Sequence, residues 1–244
     1  MQYGDFAKLY DTLMSDVDYD GWASYIEGFI PEDASVLECA CGTGEITLRL
    51  AKAGHSIVAT DVSEDMLRVA SEKLRLSGAA AKRVHFARMD MRETAVHKPV
   101  DCVVCCCDGV NYLLSREDVK RFFMSASSAL RSGGLLLFDI SSRYKLKELL
   151  GQNCFADNDA DHPYIWQNTY DAQSKLLRME LAFFIKQGEL YSRIDEAHIQ
   201  RAHSVKEISS WLEECGYEYD IYKCFGTETP DDTTERIQFV ARKL

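Results

Sequence analysis

The chain lacks two features that would place it in whole classes of protein. Its 244 residues contain no apolar run near the ~20 residues that cross a bilayer and no secretory signal pattern. The expectation is a soluble, cytoplasmic protein without a membrane partner. Nor is there a basic run, because 28 Lys and Arg stand against 39 Asp and Glu, a formal net charge of −11. A protein that neutralises phosphates needs a positive face, so this balance argues against DNA or bulk RNA as substrate. Cysteine is plentiful, at nine residues. Cys39, Cys41, Cys102, Cys105, Cys106 and Cys107 lie in or beside apolar, strand-like runs. Cys39-x-Cys41 and Cys102-x-x-Cys105 look superficially metal-like, but zinc needs ligands that converge. Strand positions 102 and 105 point to opposite faces, so no metal is expected. Reduced, buried thiols in a reducing compartment are the expectation instead.

The most informative segment runs from Val36 to Glu45, VLECACGTGE. An apolar strand meets an acid, then a turn of small residues, then a helical pattern in Ile46, Leu50 and Ala53. Free backbone N–H groups gather at such a helix start. Gly42 and Gly44 permit positive φ and close approach of a ligand to the backbone. Ser56 to Thr60 reads as the next strand, with Asp61 at its end. An acid roughly twenty residues beyond a glycine turn is placed to hold both hydroxyls of an adenosine ribose. A nicotinamide site would want a small residue where Thr47 stands, and Glu38 would repel a pyrophosphate. The same Glu38 suits a ligand bearing an ammonium and a sulfonium.

On these residues the chain resembles the class I S-adenosylmethionine-dependent methyltransferases, whose first motif is acid-x-Gly-x-Gly-x-Gly. Ala40 replaces the first glycine, and the turn is expected to survive with negative φ there. The resemblance extends over nearly the whole chain and implies S-adenosyl-L-methionine as cofactor. It implies that Glu38, Ala40, Cys41, Gly42, Gly44, Asp61 and Val62 form the cofactor turn and ribose site. Met66, on a helix opened by Ser63 and stopped by Gly78, would pack on the adenine. Asp90 would accept the adenine amine, and the Met91 N–H would reach a ring nitrogen. The N-terminal segment Phe6 to Asp11, with Tyr10, Tyr19 and Trp22, resembles an aromatic arm over the methionyl part, where ring faces attract the sulfonium.

Strand and helix patterns alternate through the first half. Val84 to Ala87 and Val100 to Cys107 read as strands, the latter a continuous apolar run suited to a buried parallel strand. Cys107 ends it, and Asp108 to Tyr112 lie at its carboxyl end, where open α/β sheets place their chemistry. Ser115 to Asp118 opens a helix through Leu130, and Gly133 to Asp139 is the fifth strand. The expected fold is α/β: a doubly wound, mostly parallel, seven-stranded Rossmann-like sheet with a C-terminal antiparallel hairpin strand. After strand five the rhythm breaks. Segments 164–170, 176–185 and 189–199 read as an antiparallel layer, from alternation at Met179, Leu181, Phe183 and Ile185. Residues 1–150 and 201–244 are therefore expected to form the cofactor-binding core, and 151–200 an inserted β lid on the acceptor side.

In-line methyl transfer asks the protein mainly to position the acceptor and exclude water. Alternation puts Ile194, Glu196 and His198 on one face of the lid, with His198 a candidate general base and Tyr112 a candidate acceptor-site residue. Residues 108–112 lack the Asn/Asp-Pro-Pro-Tyr/Phe motif of enzymes that methylate base amines. A small-molecule methyl acceptor, as in the amino-sugar N-methyltransferases, is the favoured reading. A tRNA or protein acceptor, a nicotinamide-dependent oxidoreductase and a non-catalytic cofactor-binding protein stay open. The acceptor's identity, the atom methylated and the oligomeric state are not legible.

Overall fold

Short runs rich in Val, Leu and Ile become strands because both their faces are covered. A computed structural model describes residues 10–11, 14, 16–159 and 162–244. Its central sheet holds β1 (Ser35–Cys39), β2 (Ser56–Asp61), β3 (Val84–Arg88), β4 (Val100–Cys105) and β5 (Leu130–Ser141), joined by β10 (Tyr217–Lys223) and β11 (Arg236–Lys243). The order is β10-β11-β5-β4-β1-β2-β3. Strands β3, β2, β1, β4 and β5 pair in parallel, and β11 is antiparallel to both β5 and β10. The order reverses at β1, between β2 and β4. A crevice opens beyond the strand ends at such a switch point.

Helices cover both faces. On one side α1 (Tyr19–Glu27), α2 (Glu45–Ala53) and α3 (Glu64–Arg75) bring Trp22, Ile26, Ile46, Leu50 and Leu67 against Val36, Cys102 and Val104. On the other, α4 (Arg116–Ala129) and α5 (Val205–Glu214) bury Phe122, Phe123, Ile208 and Leu212 against Leu37, Val103 and Cys105. Cys102 and Cys105 thus belong to different cores, as the two-residue period of a strand requires. Serine caps start the helices: Ser63 accepts from the Met66 N–H, Ser115 from Asp118, and Ser204 forms a reciprocal box with Glu207. The helix expected to stop at Gly78 ends sooner. Its last turn closes at Leu76, whose N–H reaches the Leu74 and Lys73 carbonyls, and Gly78 instead begins a short 3-10 turn.

The insertion is a separate sheet of four antiparallel strands: β6 (Cys154–Asp157), β7 (Tyr164–Asp171), β8 (Leu176–Gln187) and β9 (Leu190–Arg201). Strand β6 went unforeseen because all four of its residues are exposed, so no alternation marks it. The sheet buries Tyr170, Leu177 and Met179 over Leu146. A second small cluster, Phe183 and Ile194, meets Tyr10 and Met66 of the main body. No helix among the described residues is long and apolar enough to cross a membrane.

Ala40 departs from expectation. Its φ is +53°, like the +53° of Gly42, so an alanine occupies a left-handed position. For a residue with a Cβ that conformation costs ~1–2 kcal/mol. The turn is held there by the Cys41 N–H to the Thr60 carbonyl (2.9 Å) and the Gly44 N–H to the Cys41 carbonyl (2.9 Å). Ala40→Gly relieves this strain but adds freedom to the unfolded chain. A net gain of about 0.5–1 kcal/mol is expected. It should appear as a higher urea midpoint at constant slope, and a lower midpoint would contradict the assigned strain.

Candidate functional site

A cavity of about 340 Å³ opens at the carboxyl ends of β1, β2 and β4. Three strand ends supply its acids and thiols, and the loops beyond them supply the walls. Tyr10, Tyr19, Glu38, Ala40, Cys41, Gly42, Asp61, Val62, Met66, Met91, Cys107, Tyr112 and His198 all line it. Thr43, Glu45, Ile46, Ser63, Cys106 and Gly109 line it too, although the sequence reading gave them no place in the site.

Asp61 organises the turn from both oxygens. Oδ2 accepts the Gly42 N–H at 2.9 Å and Oδ1 the Ser63 N–H at 2.9 Å. Gly42 faces open space, since a Cβ there would meet nothing within 4 Å. Glu38 is 3% exposed and accepts a 2.5 Å hydrogen bond from the Thr47 hydroxyl. Thr47, which breaks the nicotinamide pattern, therefore orients the acid of the turn. Burial pushes the Glu38 carboxyl up to about 7, against the pull of that hydrogen bond. Thr43 donates to Asp11 at 2.5 Å, and Lys73 pairs with Asp11 at 2.6 Å, tying the N-terminal segment to the turn. Phe6 and the other residues before Tyr10 lie outside the described residues.

Three expected residues do not line the cavity. Gly44 (φ +79°) caps α2, and a Cβ there would come 3.0 Å from the Ala70 Cβ, so it serves helix packing. Trp22 is buried, edge-on to Phe225 at 5.0 Å and beneath the Arg236 guanidinium at 5.8 Å. Asp90 is engaged by Arg92, whose Nη2 lies 2.5 Å from Oδ2, and this pairing holds its carboxyl below the usual range. Asp90 also caps the 3-10 turn that carries Met91 to the cavity wall.

The end of β4 is strained. Cys107 (φ +57°) and Asp108 (φ +56°) are both left-handed, and a Cβ at Gly109 would stand 2.7 Å from the Cys105 sulfur. Such strain persists only where surroundings over-determine it. Here Asp108 accepts from Arg236 Nη2 (2.9 Å) and Gln200 Nε2 (2.6 Å), while its N–H donates to buried Asp139 (3.0 Å). Arg236 also pairs with Asp139. This network, spanning β4, β5, β9 and β11, left no trace in local sequence pattern. Its effect is to fix the strand end against the second sheet. Beside it, Tyr112 Oη lies 3.4 Å from His198 Nδ1, with the rings edge-on at 5.9 Å. Burial holds His198 below its ordinary 6.5, so its ring is neutral at pH 7.

A family profile described as a methyltransferase domain matches residues 36–134, from β1 into β5. YqeM of Bacillus subtilis (strain 168), provisionally named a methyltransferase, is 39% identical over 245 residues, covering 100% of this chain and 98% of its own. The crystal structure of an S-adenosylmethionine-dependent methyltransferase from Clostridium acetobutylicum ATCC 824 is 33% identical and superposes with a TM-score of 0.88, covering 99% of this chain and 98% of that one. Streptomyces venezuelae DesVI shares the fold at a TM-score of 0.79 and 21% identity, covering 98% of each chain. The oxidoreductase and non-catalytic readings have no counterpart among these proteins. With its full length matched at these identities and its fold reproduced, the chain belongs to the S-adenosylmethionine-dependent methyltransferases, and is an enzyme with S-adenosylmethionine as its cofactor.

Proposed function

We propose that this enzyme methylates a nitrogen or oxygen of a small molecule enclosed between the end of β4 and the second sheet. Residues 1–150 and 201–244 are then the cofactor-binding core, and 151–200 the lid over the acceptor. The cradle suits the cofactor on its own geometry. Gly42 leaves the backbone bare, Asp61 stands where it can receive the ribose hydroxyls, and Glu38 faces the methionyl ammonium. Val62, Met66 and Met91 offer apolar surface to the adenine, with Asp90 positioning Met91. Tyr10 and Tyr19 offer ring faces to positive charge, and Ala40, Cys41 and Cys107 close the floor. When bound, S-adenosylmethionine supplies a methyl carbon on positive sulfur, to which the acceptor's lone pair bonds as the C–S electron pair leaves with sulfur.

The observation that carries this reading is the Tyr112–His198 pair, which joins core to lid at the cavity wall. Neutral His198 can take the proton that the acceptor sheds, and the Tyr112 hydroxyl can hold the ring or the acceptor by hydrogen bond. No Lys or Arg lines the cavity among the described residues, whereas a tRNA acceptor would want a basic rim.

His198→Ala should lower kcat by about a hundredfold or more on any acceptor the wild type turns over, with S-adenosylmethionine affinity unchanged. Wild-type kcat should rise with pH and level off before the ordinary histidine value of 6.5, because His198 acts when neutral and its pKa is lowered. An unchanged kcat in the variant would remove His198 from the reaction.

A further inference from the structure

We propose that Gln200 is a positioning residue that sets the direction of a hydrogen-bond chain at the cavity wall, so that the acceptor's proton leaves through the Tyr112 hydroxyl to Nδ1 of His198. This deepens the reading of the cavity as a methyl-transfer site and rests on it. Tyr112 and His198 both line the cavity, and Tyr112 Oη lies 3.4 Å from His198 Nδ1. That contact has two possible polarities. Either the phenol donates to Nδ1, or a protonated Nδ1 donates to the phenol oxygen. Gln200 decides between them; it is 3% exposed and stands two residues along β9 from His198.

The chain starts at a fixed charge. Asp108 pairs with Arg236 Nη2 at 2.9 Å, and its carboxylate has only lone pairs to offer. The Gln200 atom that meets Asp108 Oδ2 at 2.6 Å is therefore the amide nitrogen, a donor. The Gln200 side chain also hydrogen-bonds Tyr112. Burial and the Asp108 charge push the phenol's pKa up, and Gln200 pulls it down, as a bond donated to the phenol oxygen does. With that oxygen accepting from Gln200, the phenol proton is the group left to meet Nδ1. The proton of the neutral ring then sits on Nε2. Three more bonds hold this geometry. Asn111 Nδ2 donates to the Arg201 carbonyl (2.9 Å), Arg201 Nη1 to the Leu114 carbonyl (3.0 Å) and His203 Nε2 to the Leu113 carbonyl (2.9 Å). The turn that carries Tyr112 is thus pinned to the end of the strand that carries His198.

In the transfer step the acceptor's lone pair bonds to the methyl carbon and the C–S pair leaves with sulfur. The acceptor's N–H or O–H proton passes to Tyr112 Oη as the phenol's own proton passes to Nδ1. The phenol is neutral before and after, and the imidazole becomes imidazolium. Tyr112 touches the acceptor in this scheme, and Gln200 acts through Tyr112.

Nitrogen NMR of the His198 ring at pH 8, in the protein saturated with S-adenosylhomocysteine, reads the chain directly. The wild type should show Nε2 protonated and Nδ1 accepting. Gln200→Glu keeps the shape and reverses the polarity. Its carboxyl shares one proton with Asp108 and can only accept from Tyr112, so the phenol turns to it. The ring should then move to the Nδ1–H tautomer, exchanging its two nitrogen resonances. Tyr112→Phe removes the donor and should shift the Nδ1 resonance downfield, an answer that stands even if Gln200→Glu fails to fold. A wild-type ring protonated on Nδ1, a Gln200→Glu ring still protonated on Nε2, or an unmoved Nδ1 resonance in Tyr112→Phe would each overturn the proposal. Failure of the methyl-transfer reading shows elsewhere, as an unchanged kcat in His198→Ala.

Discussion

Replacing Asp61 with alanine should raise the Kd for S-adenosylmethionine by about a hundredfold, near 3 kcal/mol. Two losses combine. In the proposed site the side chain would offer charged acceptors to the ribose, and hydrogen bonds to a charged group are worth about 1.5–3 kcal/mol. It also holds the Gly42 and Ser63 amides at 2.9 Å each, so its removal loosens the turn that the cofactor approaches. Asp61→Asn separates the two, because its amide must present an N–H to one of those backbone donors. Isothermal titration should rank wild type, asparagine and alanine in descending affinity. Equal affinity in all three would sink the ribose assignment.

Glu38→Gln should reveal a linkage between protons and cofactor. Burial raises the Glu38 carboxyl from 4.5 to about 7 in the folded protein. Its folded pKa exceeds its unfolded one, so ionisation costs more in the folded state. The free protein should therefore lose about 3 kcal/mol of stability as pH rises from about 4.5 through about 7. A neutral glutamine can still accept from Thr47, so the variant should lack this loss and be the more stable protein at pH 8. Cofactor binding runs the other way. In the proposed site the ionised form would face the methionyl ammonium, so wild-type affinity should rise roughly tenfold per pH unit up to about 7 and then level. The variant should bind weakly and without that slope. A variant that matches wild type at pH 8 would remove Glu38 from the cofactor site.

Elements with a strong period were legible from residues alone. The apolar run of β4 announced a buried parallel strand, and Met179, Leu181 and Phe183 announced a half-buried antiparallel one. Ser63 and Ser115 marked helix starts because a hydroxyl there satisfies an orphan amide. Strand β6 had no period to read, since all four of its residues face solvent. The cofactor turn was legible because its spacing is local, but resemblance assigns positions along a chain and not the direction of a side chain. Trp22 therefore proved to lie under Arg236, and Asp90 to be engaged by Arg92. Ala40 misled for a related reason: nothing in the residue's identity shows that its neighbours hold it at positive φ. The Arg236–Asp108 pair joins residues 128 positions apart, so no local pattern announces it. Tyr112 and His198 were each legible as candidates, while their meeting, between the turn after β4 and strand β9, was not.

A crystal structure of the complex with S-adenosylhomocysteine would test the site most directly. It should show both ribose hydroxyls on the Asp61 carboxylate, the amino group toward Glu38 and the sulfur directed at the Tyr112–His198 pair. Electron density for the product away from Asp61 and Glu38, or a sulfur turned from that pair, would contradict the account.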